Sequence, residues 1–272
     1  MASAAAAGGS AVASTAAGGG VEIPAARLPG AHANAAHAAN AAAGKATTEV
    51  GSENWSGYAQ VGSATKVFTA VEGTWTVPTV TTGSGDQFSS DWVGIDGAGN
   101  NTTLIQDGTE SDNDNGRAHY DAWTEILPAS EVVTPLVIHP GDQMEGLVQE
   151  TATNKWVMTV TDLTTGKSFS RTVNYTTPQQ DVEAIHERPE VGGSLATLAT
   201  TTNVTQLPDF YSTAAPGQTP VWTALGDTDG TTLDQIFMVN NNDTAIIASP
   251  SALNTAADGF TVADGAQSPP AP

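Results

Sequence analysis

The chain has 272 residues, no cysteine, and 29 Asp and Glu against 8 Lys and Arg, a formal charge of −21 at pH 7. A surface this acidic is repelled by nucleic acid and by anionic lipid, which argues against either as a partner. Without cysteine there is no disulfide framework, thiolate metal site or thiol nucleophile, and no run reaches the roughly 20 apolar residues of a membrane-spanning helix.

Residues 1–48 are mostly Ala, Gly and Ser, interrupted by VEIPAARLPG, and contain no aromatic residue. They read as a low-complexity leader, a propeptide remnant or a linker, and the first residues lack the basic and apolar regions of a signal peptide. From Val50 the texture changes to Thr, Val, Trp and Tyr punctuated by Gly, Asn and Pro, the pattern of many short strands. The pattern predicts strands at 56–60, 67–77, 90–96, 102–106, 118–126, 143–151, 155–162, 167–175 and 183–187. Four more follow at 197–206, 235–240, 244–248 and 259–262. No convincing helix is predicted. Gly97-Ala98-Gly99-Asn100-Asn101 and Thr164-Thr165-Gly166 carry hairpin-turn chemistry, and the Asp107-Gly108 pair reads as a turn closing the strand that ends at Gln106. Strands at this spacing over about 220 residues imply one all-β domain over 49–265, a sandwich of two curved antiparallel sheets, with a Pro-rich tail at 266–272.

Residues 91–125 concentrate the chemistry. The two-residue period puts Trp92 and Asp96 on one side of their strand, with Val93 and Ile95 on the other. The same alternation groups Asp121, Trp123 and Glu125 in front of Ala122 and Ile126. Farther on, Glu183, Ile185 and Glu187 share a face, and Pro189 closes the strand. A face lined with tryptophans and carboxylates is a binding surface sooner than a core. In acid the carboxylates are neutral and only the 8 Lys and Arg and 5 His carry charge, so self-repulsion is milder at pH 3 than at pH 7. The composition suits an acidic workplace, and it equally suits plain solubility, since acidic secreted proteins are common.

Several chemistries are excluded. There is no G-x-S-x-G elbow for a serine nucleophile, and the histidines at 32, 37, 119, 139 and 186 form neither H-E-x-x-H nor an adjacent three-His set. Residues 111–116, SDNDNG, superficially match a calcium loop but lack the closing Glu, so a solvated hairpin is the expectation. The sequons at Asn54 and Asn203 are expected by chance in a Thr-rich chain. What remains is carboxylate and amide chemistry around Gln106, Glu125, Glu183 and Glu187. It is open to a sugar-binding sandwich, a glycosidase or a hydrolase of another kind. Glu183 and Glu187 lie about 13 Å apart along their strand at ~3.3 Å per residue, too far for the carboxyl pair of a retaining glycosidase.

Taken in order, WVGIDG at 92–97, LIQDG at 104–108, YDAWTE at 120–125 and the Glu183 to Glu187 strand resemble the glutamic peptidases, also called eqolisins. Asn54-Trp55-Ser56-Gly57-Tyr58 and Thr74-Trp75-Thr76-Val77-Pro78 are similar to the opening strands of that family, so the likeness runs from about Asn54 to Val262. The resemblance implies a lectin-like sandwich and an acid-active endopeptidase with a Gln/Glu dyad, here Gln106 and Glu187. It places Trp92, Asp96, Asp121, Trp123, Glu125 and Glu183 around the substrate. No metal, cofactor or covalent intermediate is called for, and a monomer acting on polypeptides is expected. The chain departs from fungal relatives in lacking disulfides, which suits a bacterial-type member. It also has Glu110 where they tend to have Asp, and His186 in place of an apolar neighbour of the catalytic glutamate.

Overall fold

Alternation is the organising pattern of the strands. In β8 and β9 every second residue is buried and those between are partly exposed, as expected of a sheet packed on one side only. The computed structural model describes residues 47–62, 67–98, 102–228 and 230–272, so the predicted leader, apart from its last two residues, lies outside the described residues. All regular structure among them is β.

In chain order, β1 (Thr47–Ser52), β2 (Trp55–Val61), β3 (Ala70–Thr76) and β4 (Ser90–Ile95) lead to the long hairpin β5 (Ile105–Asp114) and β6 (Arg117–Ile126), then the short β7 (Val132–Val133). A meander follows of β8 (Gln143–Ala152), β9 (Lys155–Asp162) and β10 (Lys167–Asn174), then β11 (Asp181–Glu187) and the small ribbon β12 (Glu190–Val191) and β13 (Ser194–Leu195). The chain ends with β14 (Val204–Ser212), β15 (Thr223–Ala224), β16 (Thr232–Val239), β17 (Ile246–Pro250) and β18 (Phe260–Asp264).

The hydrogen-bonded path runs β10-β9-β8-β3-β14-β18-β17-β16-β2-β11-β4-β5-β6-β7, with β1 added in parallel to β16. The expected two sheets are thus continuous through β18, β17 and β16, and the half containing β3 and β8 packs on the half containing β4 and β5. Val93 of β4 shows how close the layers come. A Cβ on Gly73 would lie 2.5 Å from one Val93 methyl, and a Cβ on Gly146 2.9 Å from the other. Trp75 Nε1 donates across the layers to Thr109 Oγ1 at 2.8 Å. The core between them is built on Tyr58, Phe68, Val71, Val93, Ile95, Trp156, Met158, Val182 and Phe260.

Two sequence expectations are corrected. Asp107-Gly108 is no turn: β5 begins at Ile105 and runs through both residues, pairing with β4 on one side and β6 on the other. Glycine is required at 108 for packing, because a Cβ there would lie 2.5 Å from Trp92 Cβ and 3.0 Å from Trp123 Cζ2. The strand expected at 197–206 starts at Val204 and continues through Pro208 to Ser212, with a register shift between Gln206 and Asp209 that accommodates the proline. The SDNDNG stretch closes the β5–β6 hairpin at Asn115-Gly116, both at positive φ, as an Asn-Gly turn favours.

Candidate active site

Directly paired residues of neighbouring strands point to the same side of a sheet, so the register of β2, β11, β4, β5 and β6 builds the site in three rows. The first row is Ala59, Glu183, Gly94, Gln106 and Glu125. The second is Gly57, Ile185, Trp92, Gly108 and Trp123, and the third Trp55, Glu187, Ser90, Glu110 and Asp121. Two glycines, Gly94 and Gly108, leave room for the Trp92 indole; a Cβ on Gly94 would lie 2.9 Å from Trp92 Cζ3. Trp55, Trp92, Leu104, Trp123, Ile185 and Ile236 form the apolar floor, with Trp55 and Trp92 edge to face at 4.8 Å. Strands β4 and β11 are buried along their whole length, one side against the core and the other within the site.

Glu187 is held from three directions. Its Oε1 accepts from Asn54 Nδ2 at 2.8 Å and from Trp55 Nε1 at 3.1 Å, and its Oε2 accepts from Trp92 Nε1 at 2.7 Å. Burial in this apolar frame pushes its pKa up to about 8, although the three N–H donors and the neighbouring His186 favour the carboxylate. Gln106 Nε2 donates to Glu125 Oε2 at 2.7 Å, while Gln106 Oε1 has no partner among the described residues. Glu125 is pushed higher, to about 9, first by burial and then by Glu131 and Glu187, against the opposing effect of Gln106. Desolvation, more than mutual repulsion, is thus the main reason these carboxyls hold protons. Glu187 has three N–H donors and an adjacent imidazole that favour its carboxylate, where Glu125 has the Gln106 amide, a backbone N–H at Glu131 and two acidic neighbours.

The other residues singled out in the sequence divide. Trp92 and Trp123 form the floor between Gln106 and Glu187, with Trp123 Nε1 unpaired among the described residues. Glu183 lies in the row of Gln106, its carboxyl raised well above the usual range by burial and by Asp181. Asp121 sits at the far end of the Glu187 row and contacts His119 Nε2 at 3.0 Å. Beside it Glu110 is raised well above the ordinary range by burial and by Glu131, Asp112 and Asp121, and Asp112 is raised to about 7 mainly by burial.

Asp96 is placed differently from the expectation. It leaves the strand at φ 66°, and its carboxylate accepts from the Thr177 hydroxyl and, at 2.8 Å each, from the backbone N–H groups of Gln179 and Gln180. That makes it the anchor of the turn before β11, with its carboxylate committed to that segment. Sequence reasoning missed Asn54, Trp55 and Glu131 as site residues. Trp55 had a signal, since Trp55, Gly57 and Ala59 alternate as large and small residues on one face; Asn54 was marked only as the start of the motif at 54–58, and Glu131, outside the strands, had no signal.

A family model described as the peptidase A4 family matches residues 53–255. The chain belongs to this family, the glutamic peptidases. This glutamic peptidase is 31% identical to aspergillopepsin-2 of Aspergillus niger over 212 residues, 69% of the chain and 72% of that protein. It is 34% identical to scytalidopepsin B of Scytalidium lignicola over 119 residues, 43% of each. In fold it resembles scytalido-glutamic peptidase solved with a transition state analog inhibitor, with a TM-score of 0.64, 23% identity, and 78% and 98% of the two chains covered. Aspergilloglutamic peptidase from Aspergillus niger aligns with a TM-score of 0.52 and 25% identity over 65% and 99%. The chain is therefore an enzyme, a hydrolase of peptide bonds from a family that does not depend on metal.

Proposed function

We propose that this glutamic peptidase is a secreted, acid-active endopeptidase in which Glu187 is the general base and acid and Gln106 steadies the oxyanion. The observation that carries the reading is the frame of three N–H donors around the Glu187 carboxyl, across the tryptophan floor from the Gln106 amide that Glu125 holds. Glu187, with its three N–H donors, is the one whose carboxylate is supported, and because its pKa of about 8 leaves it mostly protonated at pH 3 to 4, the base acts from the minor ionised fraction. It takes a proton from water as the water oxygen attacks the peptide carbonyl carbon. The second Nε2 hydrogen of Gln106 donates to the carbonyl oxygen as it gains negative charge, and its free Oε1 helps hold the water. Glu187 then passes its proton to the amide nitrogen, the C–N bond breaks, and a carboxylic acid and an amine leave. Glu125 fixes the Gln106 amide through its Oε2. An extended polypeptide lies along the tryptophan floor.

The test is digestion of an unfolded protein substrate at pH 3 to 4 with pepstatin present, comparing the natural chain with Glu187→Gln and Gln106→Ala. The reading expects cleavage by the natural chain, a loss of about 10³-fold or more in Glu187→Gln, and about 10²- to 10³-fold in Gln106→Ala. Cleavage that persists in folded Glu187→Gln would overturn the assignment.

A further inference from the structure

Adjacent residues on a strand face opposite ways, so His186 lies directly behind Glu187, in the layer between the sheets. It is the register partner of Asp91 on β4, and His186 Nδ1 lies 2.8 Å from Asp91 Oδ1. The two are 1% and 0% exposed. Asp91 is followed by Trp92, whose indole donates to Glu187 Oε2. Each member of the inner pair is therefore the chain neighbour of one member of the outer hydrogen bond, and the two bonds span the same two strands on opposite faces.

A buried ion pair is an expensive way to fill a core. An apolar pair of the same volume packs as well or better, so stability does not account for this one. The groups facing His186 are consistent with an imidazolium. Asp91 on β4, Asp264 at the end of β18 and Glu187 on its own strand act on it. In the same row β2 contributes Ser56 and β5 contributes Thr109, both neutral. Gln206 of β14 is committed to the Ile185 carbonyl. Desolvation opposes the charge, but Asp91 and the two other carboxyls outweigh it and raise the His186 pKa above its ordinary value.

We propose that His186 and Asp91 form a positioning pair for the reaction, a cross-strand clamp that fixes Glu187 against Trp92 and sets a positive charge behind the general base. The role rests on Glu187 being that base. Burial drives Glu187 towards the neutral acid, which cannot accept a proton from water. The imidazolium, with the three N–H donors, acts in the other direction, and it is fully charged under acidic conditions, where the base most needs help. Asp91 holds the ring in place and gives the cation a partner in a layer that water does not reach.

The experiment is the pH dependence of kcat/KM for the natural chain, His186→Gln and the double variant His186→Leu with Asp91→Leu. The glutamine keeps a donor towards Asp91 without the charge, and the leucines keep an apolar core. Expected is an acid limb displaced upward by about one pH unit in both, with ~10-fold lower kcat/KM on that limb and recovery towards its plateau as pH rises. Limbs that coincide with that of the natural chain would overturn the proposal while leaving the base assignment intact. Activity in Glu187→Gln would instead remove the assignment on which it rests. Should the variants not fold, the ring nitrogens of His186 in the natural chain decide the matter by NMR. An imidazolium held from pH 4 to above 6.5 supports the proposal, and a neutral ring in that range refutes it.

Discussion

Raising the pH from 4.5 to 7 should weaken this fold substantially, and the carboxyls account for the size of the effect. Glu187 and Glu125 have pKa values of about 8 and about 9 in the folded chain. Unfolded, each ionises near 4.5. Between these values the unfolded chain has released protons that the folded chain still holds, so stability falls as pH rises, by about 1.4 kcal/mol per pH unit and group. Over 2.5 units each carboxyl removes about 3.5 kcal/mol, roughly 7 kcal/mol for the pair, against a typical total stability of 5–15 kcal/mol. Two further acids lie between the layers. A Cβ on Gly146 would lie 2.4 Å from Asp107 Oδ1, and one on Gly73 2.6 Å from Asp209 Oδ1. Burial raises both well above the usual range, assisted by Glu145 and Asp258 respectively. The assay is thermal and urea unfolding followed by circular dichroism from pH 3 to 8. Stability should be highest near pH 3 to 4 and lost steadily towards neutrality. Asp107→Asn and Asp209→Asn replace a neutral acid by a neutral amide of the same shape, so each should leave acid stability nearly unchanged and extend the stable range upward. A melting temperature constant from pH 3 to 8, or amide variants that keep the full pH dependence, would refute the reasoning.

Two further substitutions test the packing of the site. Trp92→Phe removes the indole donor to Glu187 while keeping most of the contact with Trp55. It should shift the acid limb of kcat/KM upward, consistent with a hydrogen bond to a charged group worth about 1.5–3 kcal/mol, and a pH profile identical to that of the natural chain would exclude that bond from the mechanism. Gly108→Ala places a methyl 2.5 Å from both the Asp91 carbonyl oxygen and Trp92 Cβ. It should lower stability at pH 4 by about 1–3 kcal/mol in urea titrations and reduce activity with it, because the floor tryptophans cannot keep their positions; full stability would show that the strands separate more easily than the register implies.

The sequence by itself determined the alternation, and through it which side chains share a face. Glu183, Ile185 and Glu187 had to point one way and His186 the other, because the side-chain period of a strand is two wherever the strand lies. Absence of cysteine, the scattered histidines and the acidic composition are likewise legible in the chain alone. Tertiary structure decided what stands beside each residue. Asp107-Gly108 reads locally as a turn, yet the glycine makes room for two tryptophans from neighbouring strands. Asp96 reads as part of the lined face, yet a positive φ at the strand end turns its carboxylate to the backbone of a segment some 80 residues away in sequence. Above all, charge state depends on burial, and burial is a property of the assembled layers. Spacing placed carboxyls on one face, and only the packing buried Glu125 and Glu187 enough to hold their protons and gave His186 an acid to pair with.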